Sequence, residues 1–463
     1  MANLKKTMFR EYDLRGMVND EELNENSMYI IGKAYAAMLA KREIKNAVLG
    51  FDYREYSEKL ANSIQKALLD SGIDVINLGM ITTPMAYAGQ YYYHTKGGVM
   101  ITASHNPNGW SGVKLSTDYS HTLVPDEMKE LYDLTVSEQF VAGQGNLKTD
   151  DEYQTYFDDL TKRVKLGRKI KVVVNTGNGG VGAYLPKMLR ALGVEVVDLL
   201  TNLDWTFPRY SPNPSQVEMM EDTGKKVVET GADLGIAIDA DGDRLGLTDE
   251  KGETIWPDRW LILLSRQMLA KYPGSKIVFD VKCSQALEED IKSHGGTPIM
   301  WKTGHSYIKA KVSGENAILG GEFSGHIFYN KPEFYGFDDA IFATLKMIEF
   351  LSNENKTFSE LLAETPSYVS SPNYQPSCPD EVKYGIVDKL TKEFKDEGYE
   401  VIDINGARVK FGDGWGLVRA SSNMQVLVLR FEAKTQGRLD EIIKVFKAKL
   451  DKFPEIGKEW KSG

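Results

Sequence analysis

The sequence predicts an α/β protein with three related α/β domains, whose sheets are mixed and largely parallel, plus a C-terminal α+β domain. The chain has 463 residues, which is more than one hydrophobic core usually organises, so several domains are expected. A strand–helix–strand pattern occurs three times, which indicates domains of one kind. A proline-rich stretch then precedes a segment with a different pattern.

The three repeats share a plan in which an apolar strand ends in Asp or Asn and is followed by a loop, a helix, a glycine and a second strand. Repeated units of this kind indicate parallel strands joined by right-handed crossovers. The first strands are AVLGFD (47–52), KVVVN (171–175) and KIVFD (276–280), and the helices are expected near 57–70, 181–192 and 284–293.

The fourth segment begins after the residues from Pro366 to Pro379, which include four prolines and little apolar periodicity. This composition predicts a linker, and we expect the residues from about 369 onward to move as one body. A helix, four strands and a second helix are expected behind it, which is an α+β pattern. The expected domains are therefore 1–150, 151–252, 253–367 and 368–463.

Composition and charge exclude several classes of protein. The net charge of −10 argues against a nucleic-acid partner, which would need a basic surface. Two cysteines, Cys283 and Cys378, are too few for a disulfide framework and favour a reducing compartment. The N-terminal segment lacks the apolar run of a signal peptide, and no segment approaches the roughly 18 apolar residues of a membrane span. We expect a cytoplasmic protein without a membrane partner; whether it is a monomer or a dimer stays open.

The segment TASHNP (102–107) is the first candidate site. It follows the apolar strand residues VMI (99–101) and is broken by Asn106 and Pro107, so Ser104 is expected in a turn at the carboxyl end of a strand. Ligands of α/β sheets bind at such ends. The alternative is a serine that only bonds its own backbone. No G-x-S-x-G elbow surrounds Ser104, which argues against a lipase-like nucleophile.

The segment DADGDR (239–244) follows the strand LGIAI and places an aspartate at every second position. If the segment is extended, Asp239, Asp241 and Asp243 face one side, and three carboxylates together favour a hard cation such as Mg²⁺ or Ca²⁺. An EF-hand is excluded, because Arg244 occupies the position that needs glycine and because a strand enters the loop. A solvated acidic turn is the alternative.

The segment NTGNGGVG (175–182) matches the dinucleotide-binding pattern G-x-G-x-x-G at Gly177, Gly179 and Gly182. Asp198 follows near the spacing of the acidic residue that binds a ribose in such sites. The pattern is the basis of a second hypothesis, an NAD-linked oxidoreductase. The alternative, which we favour, is a tight turn that opens the helix of the second repeat.

The segment GEFSGH (321–326) follows an apolar strand and presents Glu322 and Ser324 in alternation, so both can face one ligand. A carboxylate and a hydroxyl together suit a vicinal diol, and His326 can titrate near neutral pH. An ordinary glycine-rich turn is the alternative.

The segment RASSNM (419–424) lies between two expected strands of the last domain. The planar fork of Arg419 matches a phosphate, and the hydroxyls and backbone amides behind it can complete a cradle. The alternative is a hairpin loop with an exposed arginine.

In this order, the motifs together resemble the α-D-phosphohexomutase family, most closely its bacterial phosphomannomutase/phosphoglucomutase branch. The resemblance covers essentially the whole chain, begins at FREYDLRG (9–16) and includes WKTGHS (301–306). It implies four domains around a central cleft, which contribute in turn a phosphoserine, a metal site, a sugar loop and a phosphate loop. In that family the glycine loop of the second domain is structural, which weighs against the dinucleotide hypothesis.

The resemblance also implies a reaction. Hexose 1-phosphate and hexose 6-phosphate, of mannose, glucose or both, would be interconverted through phosphorylated Ser104 and a bisphosphorylated sugar. One Mg²⁺ per chain would be held by Ser104, Asp239, Asp241 and Asp243, and glucose 1,6-bisphosphate or an equivalent would be the activator. Hexose phosphates are the implied partners.

Further side chains are assigned through the same resemblance. Lys114, His105, Arg244 and His326 are the implied catalytic residues beside Ser104, with Lys114 or His326 as general acid or base. The implied substrate-binding residues are Tyr12, Arg15, Lys282, Lys302, His305, Glu322, Ser324, Arg419, Ser421, Ser422 and Asn423.

The chain departs from the family pattern in two places. The last loop reads Arg-Ala-Ser-Ser-Asn-Met, where the mutase branch often has Arg-Ala-Ser-Asn-Thr, and the segment between Pro107 and Lys114 is shorter than expected. Phe323 favours the mannose/glucose branch over the glucosamine branch, which tends to carry a polar residue there. A phosphoglucosamine mutase and a non-catalytic module that binds sugar phosphates are the remaining alternatives.

Overall fold

The computed structural model describes residues 4–422 and 424–461, which form four sheets with helices packed against them. Three of these sheets are mixed and the fourth is antiparallel, which confirms the predicted fold class. Within the described residues, no helix is both long and apolar enough to cross a membrane.

The first domain contains a seven-stranded sheet. Its elements are β1 (Leu14–Met17), α1 (Glu25–Lys41), β2 (Asn46–Phe51), α2 (Ser57–Leu69), β3 (Asp74–Met80), α3 (Thr83–Tyr92), β4 (Gly97–Ile101), β5 (Trp110–Asp118), β6 (His121–Thr122), α4 (Pro125–Ser137) and β7 (Leu147–Thr149). The strand order is β1-β5-β4-β2-β3-β7, and β6 pairs with β5. β2 is parallel to β3 and β4, whereas β5 is antiparallel to β4.

The second domain contains a five-stranded sheet in the order β12-β11-β10-β8-β9. Its elements are α5 (Tyr153–Thr161), β8 (Lys171–Asn175), α6 (Leu185–Ala191), β9 (Glu195–Leu199), α7 (Val217–Thr230), β10 (Leu234–Ile238), β11 (Leu245–Thr248) and β12 (Thr254–Ile255). Strand pairing carries this sheet to Ile255, slightly past the boundary expected at residue 252.

The third domain contains a four-stranded sheet in the order β14-β13-β15-β16. Its elements are α8 (Pro257–Lys271), β13 (Lys276–Asp280), α9 (Gln285–Ser293), β14 (Thr297–Trp301), α10 (His305–Glu315), β15 (Leu319–Gly321), β16 (Ile327–Tyr329), α11 (Ala340–Ser352) and α12 (Phe358–Ala363).

The three domains share one strand order, which is β3-β2-β4-β5, β9-β8-β10-β11 and β14-β13-β15-β16. In each set the first three strands are parallel and the last is antiparallel. The third strand of each set, β4, β10 or β15, is followed by a turn that contains Ser104, the three aspartates or Glu322. Equivalent places in three repeats therefore supply three of the candidate site segments.

The C-terminal domain contains an antiparallel sheet in the order β17-β21-β20-β19-β18. Its elements are β17 (Val369–Ser370), α13 (Asp380–Asp396), β18 (Val401–Ile402), β19 (Ala407–Lys410), β20 (Gly414–Ala420), β21 (Leu427–Ala433) and α14 (Gln436–Leu450).

The proline-rich stretch is not the free linker that its composition predicted. Val369 and Ser370 pair with β21, Tyr374 forms a further bridge to the same strand, and Ser377 forms one to the residue just before it. An edge strand tolerates proline, because only one side of its backbone needs partners. Most of this stretch is therefore the edge of the C-terminal sheet.

Apolar side chains form one continuous cluster through parts of the first three domains, with members such as Val48, Ile236 and Phe279. The C-terminal domain has a separate cluster that includes Leu429 and Phe446. The first three domains are thus joined by a common core, whereas the last contacts the third through a small separate apolar cluster and buried arginines.

Candidate active site

Ser104 lies beyond the end of β4 in a turn where its backbone is left-handed, with φ of 50°. This conformation costs on the order of 1 kcal/mol for a residue with a side chain, so its surroundings must hold the turn. The amide donates to Thr102 Oγ1 at 2.8 Å. The buried hydroxyl donates to Asp239 Oδ2 at 2.9 Å and lies 3.1 Å from His105 Nδ1. Burial and neighbouring guanidiniums lower the pKa of His105 well below its usual value.

Arg54, which the sequence analysis missed, stabilises this turn. Its buried guanidinium donates to the carbonyl oxygens of Ser104 at 3.0 Å, Asn106 at 2.6 Å and Pro107 at 3.0 Å. Arg54 follows β2, the parallel neighbour of β4, so both loops lie at one edge of the sheet. The sequence feature that could have predicted this role is the presence of charged residues, Asp52 and Arg54, directly after a buried strand.

Asp239 closes the turn that follows β10. Its Oδ1 accepts hydrogen bonds from the amides of Gly242 at 3.2 Å, Asp243 at 3.1 Å and Arg244 at 3.1 Å. Its Oδ2 accepts the hydroxyl of Ser104 from the first domain. Burial, together with the neighbouring carboxylates, raises the pKa of Asp239 well above its usual value. The turn therefore concentrates negative charge that a cation would offset.

The donor atoms of this turn fit a metal ion. One carboxylate oxygen from each of Asp239, Asp241 and Asp243 lies within 4.8 Å of the others, and all three side chains are buried. Among the residues that the structure describes, Oδ1 of Asp241 and Oδ1 of Asp243 are buried without a hydrogen-bond partner. Asp241 Oδ2 is occupied by the hydroxyls of Thr83 at 2.7 Å and Thr102 at 3.1 Å. Buried, unpartnered carboxylate oxygens suit a hard divalent cation.

Lys114 lies beside the acidic turn despite the short segment that precedes it. It is opposite Met100 in the β4–β5 pair, and this register directs it to the end of the sheet that contains the turn. Its buried ammonium lies 3.1 Å from Asp241 Oδ2 and 2.5 Å from Asp243 Oδ2. Burial opposes the charged form of Lys114, but the two carboxylates outweigh it and raise its pKa well above the usual value.

His326 is held by a hydrogen bond at Nε2 and lies close to a carboxylate at Nδ1. Arg244 Nε donates to His326 Nε2 at 3.0 Å, so Nε2 carries a lone pair and the ring proton is on Nδ1. Nδ1 lies 3.0 Å from Asp338 Oδ2. Burial opposes ionisation of Asp338, but Lys309, at 3.0 Å, and His326 hold its pKa well below the usual range. The sequence did not lead us to Asp338, although the pair of aspartates before α11 is a feature that could have predicted its role.

Glu322 and Ser324 lie in the turn between β15 and β16. Glu322 is buried, and its Oε1 accepts the amide of Gly304 at 2.6 Å. Burial raises the pKa of Glu322. Between the two residues, the amide of Phe323 donates to Asp280 Oδ1 at 3.2 Å, and Ser324 is half-buried. A carboxylate and an accessible hydroxyl are thus presented from one short turn.

The first domain adds two of the remaining candidates to this region. The ring of Tyr12 meets His305 edge-on at 4.9 Å between centroids, and His305 stacks on His326 at 5.5 Å. Burial lowers the pKa of His305 well below its usual value. Arg15 donates to the carbonyl oxygen of Thr102 at 2.9 Å, so it supports the base of the serine turn.

Two lysines line the third domain's side of the site. The buried Lys282 Nζ lies 3.5 Å from Asp280 Oδ2. Lys302 Nζ lies 5.6 Å from the centre of the Tyr307 ring, which in turn lies 6.1 Å from Tyr12. Lys282 therefore lies beside the Glu322–Ser324 turn, where its Nζ is 5.6 Å from the centre of the Phe323 ring. Lys302 is connected to the site through Tyr307 and Tyr12.

The last candidate segment begins within β20, which contains Arg419. Arg419 is buried, and within the described residues its Nε has no hydrogen-bond partner. Ser421 Oγ accepts the amide of Met424 at 3.2 Å, and Ser422 is half-buried. Asn423 lies outside the described residues. A buried guanidinium with an unpartnered N–H fits an anionic ligand.

The glycine loop after β8 is packed against its own chain. A side-chain carbon on Gly182 would lie 2.1 Å from a backbone carbonyl oxygen, and one on Gly179 would lie 2.8 Å from a backbone carbon. Gly177 has φ of 53°. Asp198 forms an ion pair with Arg190. Close packing therefore explains these glycines, and the structure favours the turn over a dinucleotide site.

Comparison with known proteins identifies the class to which this arrangement belongs. Family models of phosphoglucomutase/phosphomannomutase match in order: alpha/beta/alpha domain I at residues 6–142, domain II at 154–252, domain III at 256–368 and the C-terminal domain at 378–449. The chain is therefore an enzyme of the phosphohexomutase class.

Individual relatives agree along the whole chain. Phosphomannomutase/phosphoglucomutase of Pseudomonas syringae pv. tomato is 39% identical over 449 residues, which are 97% of this chain and 96% of the relative. Phosphoglucomutase of Neisseria gonorrhoeae is 39% identical over 460 residues, or 98% and 99% of the two chains. A crystal structure of a family protein from Burkholderia thailandensis has a TM-score of 0.89 at 34% identity and covers 97% and 98%. The chain belongs to the phosphoglucomutase/phosphomannomutase family, which confirms the resemblance seen in its sequence.

Proposed function

We propose that the protein interconverts the 1-phosphates and 6-phosphates of glucose and mannose through a phosphoryl group on Ser104 and a bisphosphorylated sugar. The observation that carries the proposal is the 2.9 Å contact between Ser104 Oγ and Asp239 Oδ2, in a turn with unpartnered carboxylate oxygens. The names of the relatives, phosphomannomutase/phosphoglucomutase, support both sugars.

Ser104 would act as the group that gives and regains the phosphoryl group. Phosphoryl transfer depends mainly on positioning and on neutralisation of charge. Arg54 fixes the Ser104 turn through three carbonyl oxygens, and Lys114 and Arg244 bring positive charge to the same place. These cations explain how a chain of net charge −10 would attract an anionic substrate.

His326 is the better placed candidate for accepting the proton of the attacking sugar hydroxyl. Its Nε2 lone pair accepts the Arg244 Nε–H in this structure, so it would take a proton only after the substrate displaces that contact; its Nδ1 lies 3.0 Å from Asp338 Oδ2. Lys114, in contrast, stays protonated between two carboxylates and suits charge neutralisation. His105, close to Ser104 Oγ, would help to orient the serine.

Mg²⁺ is the cation that the site suits best. The donors are carboxylate oxygens of Asp239, Asp241 and Asp243 together with the Ser104 oxygen, and hard oxygen donors favour Mg²⁺ over softer metals. When bound, the ion would supply neutralisation of the charge on the transferred phosphoryl group. We propose one ion per chain, and glucose 1,6-bisphosphate or an equivalent as the compound that phosphorylates Ser104 initially.

Recognition of the sugar would fall to the third domain, and that of the non-reacting phosphate to the C-terminal domain. Glu322 and Ser324 would bind the 3- and 4-hydroxyls, which glucose and mannose share. The buried Arg419 guanidinium would bind the phosphate, with support from Ser421 and the residues after it. The two cysteines are free and buried, which supports a cytoplasmic setting.

A coupled assay with glucose 1-phosphate, mannose 1-phosphate and glucosamine 1-phosphate tests the proposal. We expect turnover of the first two in the presence of Mg²⁺ and a trace of glucose 1,6-bisphosphate. Turnover of glucosamine 1-phosphate alone would favour the phosphoglucosamine alternative. Binding without turnover, and with Ser104 never phosphorylated, would indicate a non-catalytic module instead.

A further inference from the structure

Three arginines lie on one face of the C-terminal sheet. In the strand register, Arg408 of β19 and Arg430 of β21 are both opposite Leu417 of β20. Arg419 is two residues farther along β20, so its side chain is on the same face as that of Leu417. The face that presents the candidate phosphate-binding arginine therefore presents two more arginines, and both are buried.

Arg430 contacts three parts of the third domain. Its Nη1 donates to the carbonyl oxygen of Lys282, and its Nη2 donates to Asp258 Oδ2 at 2.8 Å. Its guanidinium lies 3.7 Å from the centre of the Phe323 ring. Lys282 is a candidate substrate ligand, and Phe323 lies between the two residues expected to bind the sugar hydroxyls. One side chain of the last domain thus contacts both substrate-binding segments of the third.

Arg408 completes the contact with the same backbone segment. Its Nη1 donates to the carbonyl oxygens of Val281 at 2.5 Å and Cys283 at 2.8 Å, and its guanidinium stacks 3.6 Å from the centre of the Trp415 ring. Together, Arg408 and Arg430 donate hydrogen bonds to the carbonyl oxygens of three successive residues, Val281, Lys282 and Cys283. The backbone around Lys282 is therefore held by groups of the C-terminal domain.

Holding two domains together would not by itself require this arrangement. The same interface already contains an apolar cluster of Val281, Trp415 and Leu417. Burial of the Arg430–Asp258 ion pair costs desolvation that apolar residues would avoid. The guanidinium fixes the relative positions of three groups, because its planar fork binds a carbonyl oxygen and a carboxylate while its face stacks on an aromatic ring.

We infer that Arg430 is a positioning residue, which sets Lys282 and the turn around Phe323 from the C-terminal domain. Its strand, β21, pairs directly with β20, which contains Arg419. The positions of the phosphate-binding Arg419 and of the sugar-binding segments are then coupled through one sheet. A movement of the C-terminal domain would shift Lys282 and the Phe323 turn with it, or would break their contacts with Arg430. The inference rests on the proposed function for the roles of Lys282 and Arg419.

The variant Arg430→Lys tests the inference with the full chain. Lysine keeps a positive charge beside the buried Asp258 but cannot form the fork or the planar stack. We expect KM for glucose 1-phosphate to rise by about tenfold, with kcat within about threefold, because the affected contacts bind substrate and transition state alike. In a Lys282→Ala background the same change should add little further, since both act through one group.

Tyr368→Phe is the matched control. Tyr368 donates to Glu289 Oε1 at 2.6 Å, which is a different contact between the start of the C-terminal domain and the third domain. We expect no change in KM. If Arg430→Lys behaves like this control, or if its effect adds fully to that of Lys282→Ala, Arg430 has no positioning role. Should Arg430→Lys fail to fold, Asp258→Asn takes its place in the same cycle, because it removes the charge that binds Arg430 Nη2 while its carbonyl oxygen can still accept the Ser284 amide.

Hydrogen exchange on the unliganded protein provides a readout that needs no turnover. The amides of Ser284 and Gln285 donate to Asp258 Oδ2 and Glu432 Oε1 at 2.9 and 2.8 Å. In Arg430→Lys, peptides that cover 281–285 should exchange faster, while those of α14 should be unchanged. Unchanged exchange at 281–285 would overturn the inference, whereas absence of turnover in the wild type would overturn only the proposed function.

Discussion

The hydroxyl of Ser104 and the carboxylate of Asp239 are 2.9 Å apart, although 135 positions separate them in the chain. Each residue follows the third strand of its repeat, so the contact joins equivalent turns of two related domains. The other oxygen of Asp239 accepts three amides of its own turn, which leaves Oδ2 as the atom facing Ser104. A candidate nucleophile and a candidate metal site are thus built from two domains at once.

Phosphorylation of Ser104 is the most direct prediction. Purified protein treated with glucose 1,6-bisphosphate should carry one phosphoryl group, and peptide mapping should place it on Ser104. Ser104→Ala should abolish most turnover without loss of fold, because the side chain is small and its backbone is held by Arg54. Ser324→Ala, in the sugar turn, should still be phosphorylated. A wild-type protein that stays unmodified after this treatment would exclude the mechanism.

Metal binding should stabilise the protein through the acidic turn. Mg²⁺ at a hundred times its Kd should raise the free energy of unfolding by about 2.7 kcal/mol, measured as a shift in Tm. Asp241→Asn removes one anionic ligand, so the shift should largely disappear and kcat should fall by orders of magnitude. Glu322→Gln, outside this turn, should keep the shift. Full activity in excess EDTA would contradict the assignment.

Substitution of Glu322 should not discriminate between the two sugars. Glu322 is expected to bind hydroxyls that glucose and mannose share, so Glu322→Gln should raise KM for both 1-phosphates by a similar factor. The buried carboxylate also accepts the amide of Gly304, and glutamine can keep this bond through its carbonyl oxygen. Steady-state kinetics with the two substrates check the expectation. Loss confined to one sugar would show that the residue senses the C2 position.

Asp339 should make stability depend on pH. Burial raises its pKa to about 7, and its oxygens accept Phe342 N and Tyr156 Oη at 2.8 Å each. Between the unfolded pKa and about 7 the folded state binds more protons than the unfolded state, so this residue lowers stability as pH rises. The accumulated cost above pH 7 is on the order of 4 kcal/mol, and asparagine, which can cap α11 equally well, avoids it.

Asp339→Asn should therefore raise Tm by several degrees at pH 8 and by much less at pH 5. Asp159→Asn is the control with the opposite sign. Burial opposes ionisation of Asp159, but Lys162 and Arg163 lower its pKa, so it is ionised at both pH values. Its substitution should destabilise the protein about equally at pH 5 and pH 8. A gain for Asp339→Asn that does not grow with pH would refute the ionisation argument.

The candidate segments were predictable because of where strands end. Ser104, Asp239 and Glu322 all follow buried parallel strands, and the carboxyl ends of such strands are where α/β proteins bind ligands. The alternation of Asp239, Asp241 and Asp243 also predicted that their carboxylates face one side of the turn. The structure differs from the sequence-based expectation where strand pairing, which a local pattern does not specify, decides the outcome. Residues after Pro366 form a sheet edge, and Lys114 is placed by its pairing with Met100.

The sequence by itself determined the class of fold, the three repeats and the family, because these depend on periodicity and on motifs contained in short segments. Only the tertiary structure decided the partners of these motifs. Arg54 supports Ser104, Asp338 faces His326, and Arg430 contacts Lys282 across 148 positions of the chain. Buried charges need partners, but nothing in a local segment says which distant group will supply them, because that depends on how separately formed domains pack.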